Sequence, residues 1–274
     1  MASTAISAGP LPAAAPGWPA ARVRGEGPST IKFIDVAFTN RAASSVIDTV
    51  ASRPADARFV YVVTPNVDHV VRLQRSRSDL WPAYRGAWMT LCDSRIIARL
   101  ARRDGYVLPV VPGSDLTARL FEDVLQPNDR VAILGGRAET VARLAERYRL
   151  RNVQHYDPPM GFIHDEQAAA QAVRFVAEAH ARYCFLAVGS PQQEIVAYRV
   201  ARLGGATGIG FCVGASLDFL SGDQNRAPRL VQRMSLEWLY RLAMEPRRMW
   251  RRYLVDGPEI FQIAKDWRRS HASA

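Results

Sequence analysis

Cysteine is scarce in this chain, with three in 274 residues. Cys92, Cys184 and Cys212 are far apart, and each sits in an apolar run, so no Cys-x-x-Cys metal or redox pair exists. They read as buried free thiols in a reducing compartment. Long hydrophobic runs are missing too: the longest nearly apolar stretch, 206–217, is too short and glycine-rich to span a bilayer. The first 30 residues are rich in Ala, Pro and Gly but lack a leucine-rich core behind a basic start. They read as a disordered leader rather than a signal peptide. No Walker loop with its lysine, no G-x-G-x-x-G after a strand and no G-x-S-x-G elbow is present. Those absences argue against a P-loop nucleotidase, an ordinary dinucleotide site and a serine hydrolase. His69, His155, His164, His180 and His271 are dispersed, without metal-ligand spacing, and no D-x-D pair offers to hold a divalent cation. No metal and no cofactor is therefore expected. No internal repeat is visible.

What is there is a globular composition, 48% hydrophobic and 23% charged, enough to bury a sizeable core. The order of elements alternates strand and helix. Ile31–Phe38 reads as one short strand, then a helix over 41–53. Phe59–Val63 is a continuous β-rich apolar run, as in a strand buried on both faces of a parallel sheet. It ends in Thr64-Pro65-Asn66, and a helix follows over 67–80. Further strands are expected at Ala87–Leu91, Val131–Leu134, Val153–Tyr156, Tyr183–Val188 and Gly208–Val213, with helices after 95 and over 138–148, 167–181 and beyond 194. Such alternation predicts an α/β fold with an open, doubly wound, mostly parallel sheet. Ligands in such sheets bind at the carboxyl ends of the strands. The residues just past each strand are thus the candidates: Thr64, Asn66, Asp93, Gly135, Gly136, Ser190, Gln193 and Glu194.

From Arg226 the alternation gives way to a helical, basic and aromatic appendage, 226–274, following a core over 31–225. Residues 226–269 hold 11 Lys+Arg against 5 Asp+Glu, so +6 of the net +10 lies in a sixth of the chain. Within LEWLYRLAMEPRRMWRRYL (236–254), Arg247, Arg248, Arg251 and Arg252 share an arc of about 140° on a helix, with Met249, Trp250, Tyr253 and Leu254 opposite. Arginine grips phosphate with a planar fork, while Trp and Tyr favour a bilayer interface. An amphipathic helix with its apolar side in a core satisfies the same pattern. A basic tail predicts an anionic partner: nucleic acid, an acidic membrane surface or a phosphate-bearing substrate. With no acidic pair for a cation, tail arginines are the obvious means of neutralising a pyrophosphate.

Seven pieces occur in order: VTPNVDHV (63–70), CDSRI (92–96), VPGSDL (111–116), LGG (134–136), GF (161–162), VGSPQQE (188–194) and RAPRLVQRMSLEWLYRLAMEPRRMWRRYL (226–254). Together they closely resemble the WecG/TagA/CpsF family of bacterial glycosyltransferases over about 31–256. The resemblance implies a Rossmann-like core whose C-terminal appendage completes the site and touches the membrane. It implies metal-free transfer of a sugar from a UDP donor to an undecaprenyl-diphosphate-linked saccharide, on the cytoplasmic face, for wall polymer, capsule or exopolysaccharide synthesis. On that likeness Asp93 is the general base, or alternatively the cap of the next helix. Thr64 and Asn66 bind sugar or nucleotide, or serve the turn around Pro65. Gln193 contacts the donor. Glu194 contacts it too, or merely sits favourably in a helix first turn. Gly135 and Gly136 let backbone approach the ligand, with exposed N–H groups at a helix start, or simply form a tight turn; Ser190 joins them as a substrate-binding candidate. Arg226, Arg241, Arg247, Arg248, Arg251 and Arg252 bind diphosphate and anionic headgroups.

Two departures bear on donor identity. The family's usual Asp-Gly is Asp93-Ser94-Arg95 here, and its Arg before Gly-Ser-Asp-Leu is replaced by Val110-Val111. The competing class is a basic nucleic-acid-binding α/β protein, although the basic residues interleave with Trp and Leu and no nucleic-acid motif is recognisable. A nucleotide-sugar oxidoreductase is disfavoured by the missing dinucleotide fingerprint. A homo-oligomer is left open.

Overall fold

The structure, a computed structural model, describes residues 29–223 and 257–271, together with isolated positions between them (240, 242, 244, 247, 250, 254 and 255). Six strands form one parallel sheet: β3 (Val60–Val63), β4 (Met89–Thr90), β5 (Arg130–Leu134), β6 (Asn152–Tyr156), β7 (Tyr183–Leu186) and β8 (Ile209–Cys212). Their spatial order is β4-β3-β8-β7-β5-β6. Period-2 alternation sorts the strand residues onto two faces. Tyr61, Val63, Ala132, Leu134, Cys184 and Leu186 join the core under α2 (Val67–Arg75), α3 (Trp81–Arg85), α7 (Glu166–Glu178) and α8 (Gln192–Leu203). Val62, Val131, Ile133, Tyr183 and Phe185 join the other core, under α1 (Ala43–Ala51), α5 (Gly113–Arg119), α6 (Ala138–Arg147) and α9 (Ser216–Ser221). The fold is therefore the doubly wound, Rossmann-like α/β arrangement, its central strands β3, β8 and β7 apolar throughout because helices cover both sides, while the edge strand β6 carries Asn152, Gln154 and His155.

The register aligns the carboxyl ends. Thr90, Val63, Cys212, Leu186, Leu134 and Tyr156 lie side by side across the sheet. The chain leaves β5 outward to β6, but leaves the adjacent β7 in the opposite sense to β8. In open α/β sheets ligands bind where neighbouring connections diverge in this way. Here that switch point lies between the loop after Leu134 and the loop after Leu186.

Ile31–Phe38, expected as one strand, is a hairpin. β1 (Thr30–Phe33) pairs antiparallel with β2 (Val36–Thr39) through a turn at Ile34 and Asp35. Both turn residues take positive φ, 46° and 62°, where Asn-Gly would be usual. Ile34 is held there by burial beside Phe33, Val36 and Phe38. The same cluster takes in α4 (Arg95–Arg103) and the last helix, α10 (Glu259–His271), through Ile260, Ile263, Ala264 and Trp267. Trp267 meets Phe33 edge-on at 5.1 Å and Tyr106 at 6.0 Å. The expected helix over 67–80 divides into α2 and a 3₁₀ turn at Ser78–Leu80. α5 passes into a π turn at Leu120–Val124, an element absent from the sequence reading. Cys92, Cys184 and Cys212 are all free and buried.

Candidate active site

The exits of β3 and β4 are tied together. The Asp93 N–H donates to the Pro65 carbonyl at 3.1 Å, which brings Thr64, Asn66 and Asp93 onto one stretch of the carboxyl edge. The Thr64 hydroxyl is buried and donates to the Cys212 carbonyl at 3.2 Å, linking β3 to β8. Gly113 opens α5 directly against it: a Cβ at 113 would stand 2.9 Å from Thr64 Oγ1. Asn66 is the N-cap of α2, its Oδ1 accepting from the His69 N–H at 3.3 Å. Asp93 does not cap α4. That role belongs to Ser94, whose Oγ accepts from the Ile97 N–H at 3.2 Å. Asp93 itself is half-buried, one residue past the bridge between Cys92 and Val110.

On the other side of the switch point, at the exit of β5, Gly135 and Gly136 turn the chain with φ of 84° and 80°. A side chain at 135 would be strained, and its Cβ would fall 2.7 Å from Val188 Cγ1 in the β7 exit. The Gly135 N–H is engaged by the Tyr156 carbonyl at 2.8 Å, so it is not the ligand-facing donor expected from sequence. Gly136 has open space where a Cβ would be. His155 Nε2 lies 3.0 Å from the Gly136 carbonyl and 3.3 Å from that of Gly135, bracing the loop from β6. That contact requires the proton on Nε2, since carbonyls only accept.

The loop after β7 is braced from within. Gln193 is buried. Its Oε1 accepts from the Gly214 N–H at 2.8 Å, and its Nε2 donates to Glu194 Oε1 at 2.8 Å. Glu194 is fully buried, and burial raises its pKa. The Gln193 amide, the Ser190 hydroxyl and the Arg72 charge act in the other direction. Among the described residues its Oε2 has no hydrogen-bond partner of good geometry. Arg72, on α2, reaches across to this loop: Nη2 lies 3.0 Å from Asp68 Oδ2 and 3.3 Å from Ser190 Oγ. The neighbouring Tyr84 hydroxyl is pushed far up by burial and by the Glu194 charge.

The sequence model of the Glycosyl transferase WecG/TagA/CpsF family matches residues 31–273. The chain belongs to the WecG/TagA/CpsF glycosyltransferase family. As a member it acts on a sugar donor and an acceptor. Among the candidates, the structure places Thr64, Asn66 and Asp93 at the exits of β3 and β4, Ser190, Gln193 and Glu194 after β7, and Gly135 and Gly136 at the exit of β5, all along the carboxyl edge. Arg247 is exposed, as are Met244, Trp250 and Leu254. Arg226, Arg241, Arg248, Arg251 and Arg252 lie outside the described residues.

Three residues of this glycosyltransferase escaped the sequence reading. Arg72 sits two turns inside a helix rather than in a strand-end loop, and its one local signal is the Asp68 four residues earlier. His155 is hidden within β6, and Gly113 within the VPGSDL piece, where only contact with Thr64 explains it. A groove of about 440 Å³ at the amino ends of the strands, lined by Asp56, Asp129, Arg130, His180 and Arg182, touches none of the candidates. The edge architecture, rather than groove size, marks the site. Among the described residues no group of three or more His, Cys, Asp or Glu could hold a metal ion.

Proposed function

We propose that this glycosyltransferase moves a sugar from a UDP-sugar to an undecaprenyl-diphosphate-linked saccharide, with inversion and without a metal ion. The reaction takes place at the inner face of the cytoplasmic membrane, in exopolysaccharide, capsule or wall polymer synthesis. The observation that carries this reading is the joining of the β3 and β4 exits by the Asp93–Pro65 bond, with helix capping left to Ser94. An aspartate at 93 is then not accounted for as a cap, and it stands beside Thr64 and Asn66 at the ligand edge.

The chemistry follows. The Asp93 carboxylate takes the proton of the acceptor hydroxyl as its oxygen attacks the anomeric carbon from the face opposite the nucleotide. The bond from that carbon to the donor phosphate oxygen breaks, and UDP leaves with the electron pair. Positive groups aimed at the departing diphosphate stabilise the charge it develops. Arg226, Arg241, Arg247, Arg248, Arg251 and Arg252 are assigned that work, together with contact to anionic headgroups. Strand exits in the sheet stand about 4.8 Å apart, so the edge from β4 to β5 offers roughly 19 Å to an extended nucleotide sugar.

The test is transfer from a panel of UDP-sugars to a short-chain prenyl-diphosphate-saccharide, with the product anomer read by NMR. Asp93→Asn should lose about 10²–10⁴-fold in turnover while UDP affinity persists, and chelation should leave wild-type turnover unchanged. Wild-type-like turnover by a well-folded Asp93→Asn would remove the base assignment.

A further inference from the structure

The proposed transfer calls for positive charge at the donor diphosphate, and the sequence pointed for it only to the C-terminal arginines. The described core contains another source. α2 follows β3 and runs back from the carboxyl edge, so its amino end is at the site. Helical side chains lean toward the amino end. Arg72, two turns in, therefore carries its guanidinium up to the rim, where it meets Ser190 of the β7–α8 loop at 3.3 Å.

Three observations mark this arginine as more than a helix-surface charge. Its side chain is only 20% exposed, although a lone surface arginine would extend into water. Among the described residues both of its hydrogen bonds leave from one nitrogen, Nη2, to Asp68 and to Ser190. Nη1 and Nε make none and are not sealed from solvent. One corner of the fork is thus fixed beside the β7–α8 loop while the other two nitrogens keep contact with solvent, a preorganised arrangement for an incoming oxyanion. Glu194, the nearest buried acid, does not pair with Arg72 directly, and its burial favours the uncharged form.

We propose that Arg72 is a further substrate-binding residue of this glycosyltransferase: held by Asp68 and Ser190, it grips a phosphate of the nucleoside diphosphate through Nη1 and Nε. The proposal rests on the donor reading above. It assigns diphosphate recognition in part to the core, so nucleotide affinity does not depend on the C-terminal arginines alone.

The experiment is calorimetric titration of UDP and of uridine into the full-length protein, for wild type, Arg72→Gln, Arg72→Lys and Ser190→Ala. Arg72→Gln is expected to weaken UDP binding about 10- to 100-fold, the range for a charge-assisted contact, with uridine binding unchanged. Arg72→Lys, keeping the charge without the fork, should fall between, and Ser190→Ala should show a smaller loss. In the transfer assay the donor KM should rise in Arg72→Gln more than kcat falls. Equal UDP affinity in wild type and Arg72→Gln overturns the proposal, as does a parallel loss of UDP and uridine. Should Arg72→Gln fail to fold, Arg72→Lys decides, and wild-type UDP affinity there overturns it. An intact Arg72 effect alongside undiminished transfer by Asp93→Asn would instead strike only the catalytic reading. A wild-type protein that binds no UDP would sink both.

Discussion

Glu194 shows how burial can outweigh polar partners in setting a residue's behaviour. Its carboxyl is fully buried and its pKa is raised from the ordinary 4.5, chiefly by desolvation. A folded-state pKa above the unfolded value means that the native protein holds the proton more tightly. Stability from this group is then complete below the unfolded pKa and declines as pH rises through the folded one. Glu194→Gln should match wild type in urea denaturation near pH 4 and exceed it at pH 8. A variant less stable at pH 8 would mean that the carboxylate's partners, Gln193 and Arg72, outweigh its desolvation. Asp223 behaves oppositely. Hydrogen bonds from Thr140, Ser221 and Arg143 lower its pKa to about 2, so its contribution is present above the usual carboxylate range and is lost only in strong acid. Gly113 makes a steric prediction. Gly113→Ala puts a methyl 2.9 Å from Thr64 Oγ1 in a packed setting, which costs about 1–3 kcal/mol and shifts Thr64. The measurable result is a lower urea midpoint together with a raised donor KM.

At the level of elements, legibility in the sequence followed how far local pattern and tertiary demand agreed. Val60–Val63, Tyr183–Leu186 and Ile209–Cys212 lie within the strands expected from their apolar runs, because strands buried on both faces need no partner to declare themselves. The carboxyl-edge candidates followed from that, since a parallel sheet gathers all its exits at one edge. The β1–β2 hairpin was not legible. Its turn is Ile34-Asp35, and an isoleucine with φ of 46° is explained only by the cluster that buries it. Nor was the seating of α10, whose Lys265, Arg268 and Arg269 read as one more part of a basic tail. Its apolar side, Ile260, Ile263, Ala264 and Trp267, closes the cluster of the hairpin, α2 and α4. Arg268 reaches Asp104 at 2.7 Å, and Arg75 meets Glu259 at 2.9 Å. Trp267→Ala should therefore cost about 3–5 kcal/mol in urea unfolding, although it is far from Asp93 in sequence. A chain cut at 225 would lose this lid over Phe33 and Val70, so activity lost on truncation is no measure of the arginines by itself.

The whole molecule combines a sheet that gathers the candidate residues along one edge with a net charge of +10. No helix among the described residues is long and apolar enough to cross a membrane. Of the net +10, +6 falls in residues 226–269, and Trp250, Met244, Leu254 and the α10 residue Phe261 are exposed large apolar side chains. On the proposed membrane reading charge and apolar contact act together: cations draw the protein to acidic headgroups, and aromatic side chains enter the interface. Each basic residue near such a surface contributes on the order of 1 kcal/mol. Replacing Arg247, Arg248, Arg251 and Arg252 together by Gln, in the full-length protein with α10 intact, should weaken binding to phosphatidylglycerol-containing vesicles by about 10³-fold. Wild-type binding should fall steeply as salt rises and be near zero on neutral vesicles. UDP affinity in the same variant should fall less than in Arg72→Gln if the core arginine carries the nucleotide. Vesicle binding that ignores both salt and the four substitutions, or tight salt-sensitive binding to oligonucleotides instead, would assign the basic tail to another partner and leave the site waiting for a different acceptor.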